Sequence, residues 1–357
     1  MTSRADVGIL GLGLYLPPEV RRNDWWPQKV VAGWSSAAGA MPPPPQGSMS
    51  EGTRRVLRAL AQQDADPFQG AVERRVMTAG MSVLDMEEAA AREAIQRSGV
   101  DPSSIDLLLT HTVLPDYLLS NPATVLHHRL GLPKQCFAMP NDAAAYSFMM
   151  QLAVAEAMIA SGRATCALLV QSCGASRMID WHESRAPLFG DGATAVIVGR
   201  VSPGRGLRAA AHFADGRYPN TLIGSVPGGT WFDEGRGVIH VEDNAQMRDV
   251  FLRTADVCKE GIDAALAQAR IGAAEIDFFA MYQGTPWLRQ VVQDFAGLDK
   301  ARSIETFATT GYLFSAILPA GLHFAEQANQ LHDDDLVLLT GGGTGMTYGS
   351  IVLRWGR

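Results

Sequence analysis

The chain has few cysteines, no concentration of positive charge and no long apolar run, and each scarcity excludes something. Its four cysteines, Cys136, Cys166, Cys173 and Cys258, include no C-x-x-C pair in 357 residues. A chain of this length can bury a core without covalent staples, so these read as reduced, mostly buried thiols. Neither a disulfide framework nor a metal centre is expected. Charged residues make up only 19% of the sequence and the formal net charge is -7. A phosphate-backbone binder needs a concentrated basic face, so nucleic acid is excluded as a partner. No stretch reaches the ~18 apolar residues of a membrane span. The opening "MTSRADVGILGLGLYLPPE" carries one short apolar segment and no small-residue cleavage site. The expectation is a cytoplasmic protein with no membrane partner.

What is present is an α/β grammar stated twice. "SVLDMEEAAAREAIQRSG" has acidic residues early, apolar residues at helical spacing, Arg97 late and Gly99 as a stop, which predicts a helix. "IDLLLTHTV" reads as a buried strand. After "MPNDAAAYSFMMQLAVAEAMIASG" come a strand "CALLVQS", a glycine turn "FGDG" and a strand "ATAVIVGR". The second half repeats the order: a helix from Asn244, a strand "IDFFAMY", a helix "LFSAILPAGLHFAEQANQ", a strand "DLVLLTG", a glycine turn "GGGTGMTYG" and a strand "SIVLRW". Such self-similarity implies two related halves, divided at about residues 203 and 204. One region departs from the pattern. From about residue 23 to 68, three tryptophans, four successive prolines and several glycines favour turns and extended chain. It reads either as a loop anchored by Trp25, Trp26 and Trp34 or as a lid over a ligand pocket, in which case Trp34 contacts the ligand.

On "GLGLYLPPE", "ERRVMTAGMSVLDMEEAAAREAI", "TVLPDYLLSNPATVLHHRLGLP", "LFGDGATAVIVGR", "FADGRY" and "GGGTGMTYGSIVLRW", found in this order through nearly the whole chain, the sequence resembles the thiolase superfamily. Within it, it is similar to the ketoacyl synthase III branch and the related acyltransferases of antibiotic pathways. The resemblance implies a five-layered αβαβα fold, a homodimer or a heterodimer with a relative, and a tunnel for the pantetheine arm of coenzyme A or an acyl carrier protein. Coenzyme A or phosphopantetheine would be a substrate carrier; no resident cofactor is implied.

The family's chemistry needs a cysteine at the N-terminus of a buried helix, where backbone N–H groups favour the thiolate, with a histidine and an asparagine, or a second histidine in the acyltransferases, to polarise the thioester and move protons. Aligned on Phe148 and on Ser161-Gly162, "DAAAYSF" places Ala145 at the cysteine. "YQGTPWLRQ" places Tyr282 at the histidine, and "TTGYLF" places Tyr312 at the asparagine. A methyl group carries no acyl chain, and three changed members of one constellation read as natural loss and not as an engineered substitution. Ser147 is a weak candidate replacement that the start of a helix explains equally well as an N-cap. The tyrosines either donate to a carbonyl or fill vacated space. Cys173 and His111 read as buried residues first. Arg177 and Arg289 fall where the family holds coenzyme A phosphates, and guanidinium suits phosphate. "GGGTGMTYG" lacks the Lys-Ser/Thr and helix of a phosphate loop and reads as a tight turn at the site floor. The resemblance implies a protein of fatty-acid, polyketide or other secondary metabolism that handles acyl thioesters, either as a degenerate subunit partnering an intact homologue or as an acyltransferase or condensing enzyme that works without an acyl-cysteine. "CALLVQS" is expected to be an exposed edge covered by the second subunit, with the loop Pro115 to Ala123 reaching towards the partner.

Overall fold

The computed structural model describes residues 6–37, 49–63 and 66–357, so the proline run at 42–45 lies outside the described residues. Two sheets carry the molecule. The first orders its strands Val7–Tyr15, Gly192–Arg200, Cys166–Cys173, Leu107–Val113 and Phe137–Pro140; the second, Phe278–Met281, Leu336–Gly343, Gly345–Arg354 and Gly206–Tyr218. Leu107, Leu108 and Leu109 are all fully buried, because a strand with helices on both faces buries consecutive residues and not alternate ones.

Three apolar clusters show the layering. Leu109, Leu169 and Val198 of the first sheet meet Val337, Leu339 and Ile351 of the second across Phe148, Leu152, Leu318 and Leu322, which belong to the helices Ser147–Ala160 and Ile317–Gln327. The other face of the first sheet packs on helices Val83–Ser98 and Pro122–Leu130. The other face of the second packs on Glu51–Gln63, Asn244–Ala269 and Leu288–Phe295. The result is helices, sheet, helices, sheet, helices: the five-layered fold. Helix Val83–Ser98 is delimited as its sequence implies, by a capping box between Ser82 and Asp85 and by Gly99 at φ 70°.

Two expectations are corrected. Cys166–Cys173 is not an edge; it pairs parallel with Leu107–Val113 and antiparallel with Gly192–Arg200, and its unbroken apolar run reflects this central place. The sheet ends instead on the short strand Phe137–Pro140, which among the described residues pairs only with Leu107–Val113. The Trp-rich excursion contains two helices, Gln28–Ala37 and Glu51–Gln63, where turns and extended chain were expected. Glu51 starts the second of these and draws in Arg54 and Arg55, at 3.0 and 2.9 Å. The glycine run does hold the expected tight turn: Gly341 to Gly343 are strand residues, paired with Gly349, Tyr348 and Thr347 of the neighbouring strand, and the hairpin turns at Thr344.

Glu87 lies fully buried on helix Val83–Ser98, accepting from Thr112 Oγ1 at 2.6 Å and Ser172 Oγ at 2.5 Å. Its second oxygen has no partner among the described residues. Desolvation pushes its carboxyl up to about 7. A folded-state pKa raised above the unfolded value favours the native state below the unfolded pKa and withdraws that contribution as pH rises towards 7. Glu87→Gln keeps the acceptor oxygen and removes the titration. Chemical unfolding should therefore show wild type losing ~3 kcal/mol, relative to the variant, between about pH 4 and 8; parallel pH curves would refute this.

Candidate functional site

The first elbow is built by a strand that stops short. After Phe137–Pro140 the chain reverses through a 3-10 turn, Ala144–Tyr146, into the helix Ser147–Ala160. Ala144 takes φ 50°, the left-handed region that a small residue reaches at modest cost. Asp142 Oδ1 accepts from Ala144 N–H at 2.7 Å and fixes the reversal. Ser147 closes the same turn: its Oγ accepts from Ala143 N–H at 2.8 Å and donates to the Ala144 carbonyl at 2.7 Å. The helix begins at Ser147 itself, so the serine does not precede the helix as an N-cap, and its hydroxyl is buried and already bonded in both senses. Gly343 must be glycine here, since a Cβ would come within 2.4 Å of the Ala143 carbonyl oxygen.

Ala145 stands at the tip. Its N–H donates to no described residue, and Gly343 lies against it: a Cβ at Gly343 would sit 3.3 Å from Ala145 N. A free N–H at a helix start attracts a partly negative oxygen. An N–H so placed can donate to an incoming oxygen, and Ala145 offers no nucleophilic atom of its own.

Tyr282 and Tyr312 come to the same place, in one apolar cluster with Ala145, Cys173, Phe189, Phe314, Trp26 and Trp34. The rings of Tyr312 and Phe314 lie 4.9 Å apart, and Phe189 stacks on Phe314 at 5.7 Å. Burial pushes both phenols above their ordinary pKa of 10, so each stays protonated at neutral pH and serves as a donor, not a base. Cys173 donates to the Gly190 carbonyl at 3.2 Å, and burial holds its thiol well above the usual range, leaving it unreactive. A cavity of about 20 Å³ beside this cluster, lined by Ile179, Phe189, Leu222 and Ile239 among others, has room for a water molecule and not for an acyl chain.

The residues expected to bind phosphate have internal partners. Arg177 Nη2 donates to the carbonyls of Thr78 and Met81 at 3.2 and 2.8 Å. Arg289 Nη1 donates to Gln293 Oε1 and Ser303 Oγ, both at 2.7 Å, and Glu305 lies 3.8 Å from its Nε. Arg289 is thus committed to its own helix and a neighbouring carboxylate, whereas Arg177 remains exposed. Trp34 is tied down by its Nε1–H to the His182 carbonyl at 2.5 Å and by Trp26 and Phe68 at 5.9 and 5.8 Å, so it anchors the excursion over the cluster.

A second elbow escaped the sequence reading. The turn Phe314–Ala316 leads into Ile317–Gln327 just as Ala144–Tyr146 leads into its helix, Phe314 takes φ 50°, and the two turns touch. Ser315 stands two residues before its helix, as Ala145 does before its own. The one available signal was the lone serine in the apolar run "LFSAIL".

The sequence model of 3-oxoacyl-[acyl-carrier-protein (ACP)] synthase III matches residues 141–216, and that of its C-terminal part matches residues 266–355. The beta-ketoacyl-[acyl-carrier-protein] synthase III of Geobacillus kaustophilus is 32% identical over 289 residues, covering 81% of this chain and 88% of that protein. Its counterpart in Bacillus pumilus is 30% identical over 356 residues, 99% of this chain and all, 100%, of that one. Among solved structures, the synthase III of Thermus thermophilus superposes with a TM-score of 0.78 at 26% identity, covering 98% of this chain and 99% of that one. An OleA variant of Xanthomonas campestris with bound lauric acid and lauroyl-CoA does so at 0.75 and 18% identity, covering 99% and 100%, a likeness of fold alone.

Proposed function

The chain belongs to the 3-oxoacyl-[acyl-carrier-protein] synthase III family, and from that premise we propose that it binds acyl thioesters, as acyl-coenzyme A or acyl carrier protein, in a dimer whose other subunit is an intact homologue. The observation that carries this reading is Ala145: the elbow keeps its free N–H and has no nucleophilic atom. The subunit holds a carbonyl in place and leaves cysteine chemistry to its partner. The division into halves 1–203 and 204–357 belongs to the same reading, as does a cytoplasmic setting, and among the described residues no helix is long and apolar enough to cross a membrane.

The partner-facing surface is proposed at the free edge Phe137–Pro140 and the loop that follows Leu107–Val113. Phe137 is 54% exposed, and Tyr117, Leu118 and Leu119 are 76, 58 and 107% exposed. An unpaired edge next to an apolar patch favours a second chain. The test is co-expression with an intact ketoacyl synthase III-like homologue: the pair should co-purify, and the homologue's condensation rate should exceed that of its own homodimer. Separate elution with an unchanged rate would defeat the partner role. A second reading, an enzyme that works without an acyl-cysteine, is favoured by a group beneath the elbow.

A further inference from the structure

We propose that Ser315, at the second elbow, is a nucleophile that accepts the acyl group of an acyl thioester, with His111 as its base and Asp142 orienting the histidine. This inference rests on the acyl-thioester reading and adds to it a reactive atom.

Three side chains, from a strand, a loop and a turn, form one line. His111, on strand Leu107–Val113, has its Nδ1 2.6 Å from Ser315 Oγ and its Nε2 3.2 Å from Asp142 Oδ1. His111 and Ser315 are buried, at 4 and 0% exposure, and Asp142 faces solvent at 82%. The His111 contact is the first cause holding the Asp142 carboxyl down, at about 2, so Asp142 is ionised at neutral pH and can only accept. The Nε2 atom therefore carries the proton, and Nδ1 accepts from the Ser315 hydroxyl. A base oriented by a carboxylate and aimed at a hydroxyl is the arrangement that activates serine in acyl transfer. It also connects a buried hydroxyl to water through two hydrogen bonds.

The backbone supports the assignment. Phe314, a bulky residue held at φ 50°, strains the turn beside Ser315. The elbow of Ser315 touches the elbow of Ala145, where a thioester carbonyl finds the free N–H. In the step, Ser315 Oγ bonds to the carbonyl carbon and the C–S bond breaks. The hydroxyl proton passes to His111 Nδ1 and then to the departing thiolate, which leaves as coenzyme A thiol. Water then attacks the serine ester, gives a proton to Nδ1, and the serine recovers it as the carboxylic acid departs. Tyr312, Phe314 and Phe189 pack at this turn, so the acyl chain must displace aromatic rings and the reaction is slow.

The full-length protein is incubated with octanoyl-coenzyme A, binding is followed by calorimetry, and adducts are mapped by fragment mass spectrometry. The wild type should gain one octanoyl group on Ser315, faster in Tyr312→Ala. Ser315→Ala should gain none, and His111→Gln should label roughly 100-fold more slowly. Asp142→Asn, which keeps an oxygen for the Ala144 N–H at this exposed position, should slow labelling about tenfold or more at an unchanged melting temperature. Binding with no adduct on Ser315 in either wild type or Tyr312→Ala overturns the inference and leaves the acyl-thioester reading standing. Absence of binding removes both.

Discussion

Ala145→Cys should gain a thiol that iodoacetamide alkylates selectively. The four natural cysteines are all buried. Desolvation raises Cys136 and Cys166 to about 11 and Cys258 to about 12, with Cys173 well above its ordinary value, so none supplies thiolate near neutrality. A thiol at position 145 would sit at the start of a helix beside an uncommitted N–H, which lowers a thiol pKa below ~8.5. Alkylation should therefore reach one site per chain. Turnover should stay poor, because Tyr282 and Tyr312 remain protonated and move no proton at neutral pH. Adding Tyr282→His and Tyr312→Asn should raise acyl-coenzyme A turnover roughly 100-fold or more over the single variant, the range a positioned acid–base group supplies. A single variant as fast as the triple one would show that the tyrosines do not occupy the proton-handling positions.

The second large effect concerns association. The strand Phe137–Pro140 ends its sheet with one side unpaired, and Phe137 lies exposed on it. Permanent dimers bury about 2,000 Å² or more, and an aromatic residue at such a centre is worth roughly 2 kcal/mol or more when lost. Phe137→Asp should raise the dimer dissociation constant roughly 30-fold or more. Light scattering across micromolar dilution should show the wild type at twice the chain mass and the variant falling towards the monomer. A wild type that is monomeric at these concentrations would remove the basis of the partner role.

The fold was legible wherever one periodicity had one structural meaning. Helix Val83–Ser98 shows its cap, its apolar stripe and its Gly99 stop in plain sequence. The strand Cys166–Cys173 was legible as a strand and not as a position, since an apolar run suits a sheet centre and a covered edge equally. Within the excursion, prolines and glycines outweighed the helical pattern of Glu51–Gln63, whose stability comes from tertiary contacts: Asp256 accepts from Ser50 Oγ at 2.5 Å and from Gly52 N–H at 3.2 Å. No local signal announces a partner two hundred residues away. The first elbow was legible through the resemblance of "DAAAYSF" to the family's pattern, and the small residues there meet a tight turn at Ala144, φ 50°. The line from Asp142 through His111 to Ser315 was not, because its three residues are separated along the chain and meet only where the turns Ala144–Tyr146 and Phe314–Ala316 touch.

The central claim is that the first elbow binds a thioester and cannot be acylated. The most direct measurement is the mass of the fragment carrying residues 139–162 after incubation with acyl-coenzyme A at a concentration shown by calorimetry to be bound. That fragment should keep an unmodified mass, since Ala145 has no nucleophilic atom and the Ser147 hydroxyl is spent within the turn. A stable acyl adduct on Ser147 would contradict it.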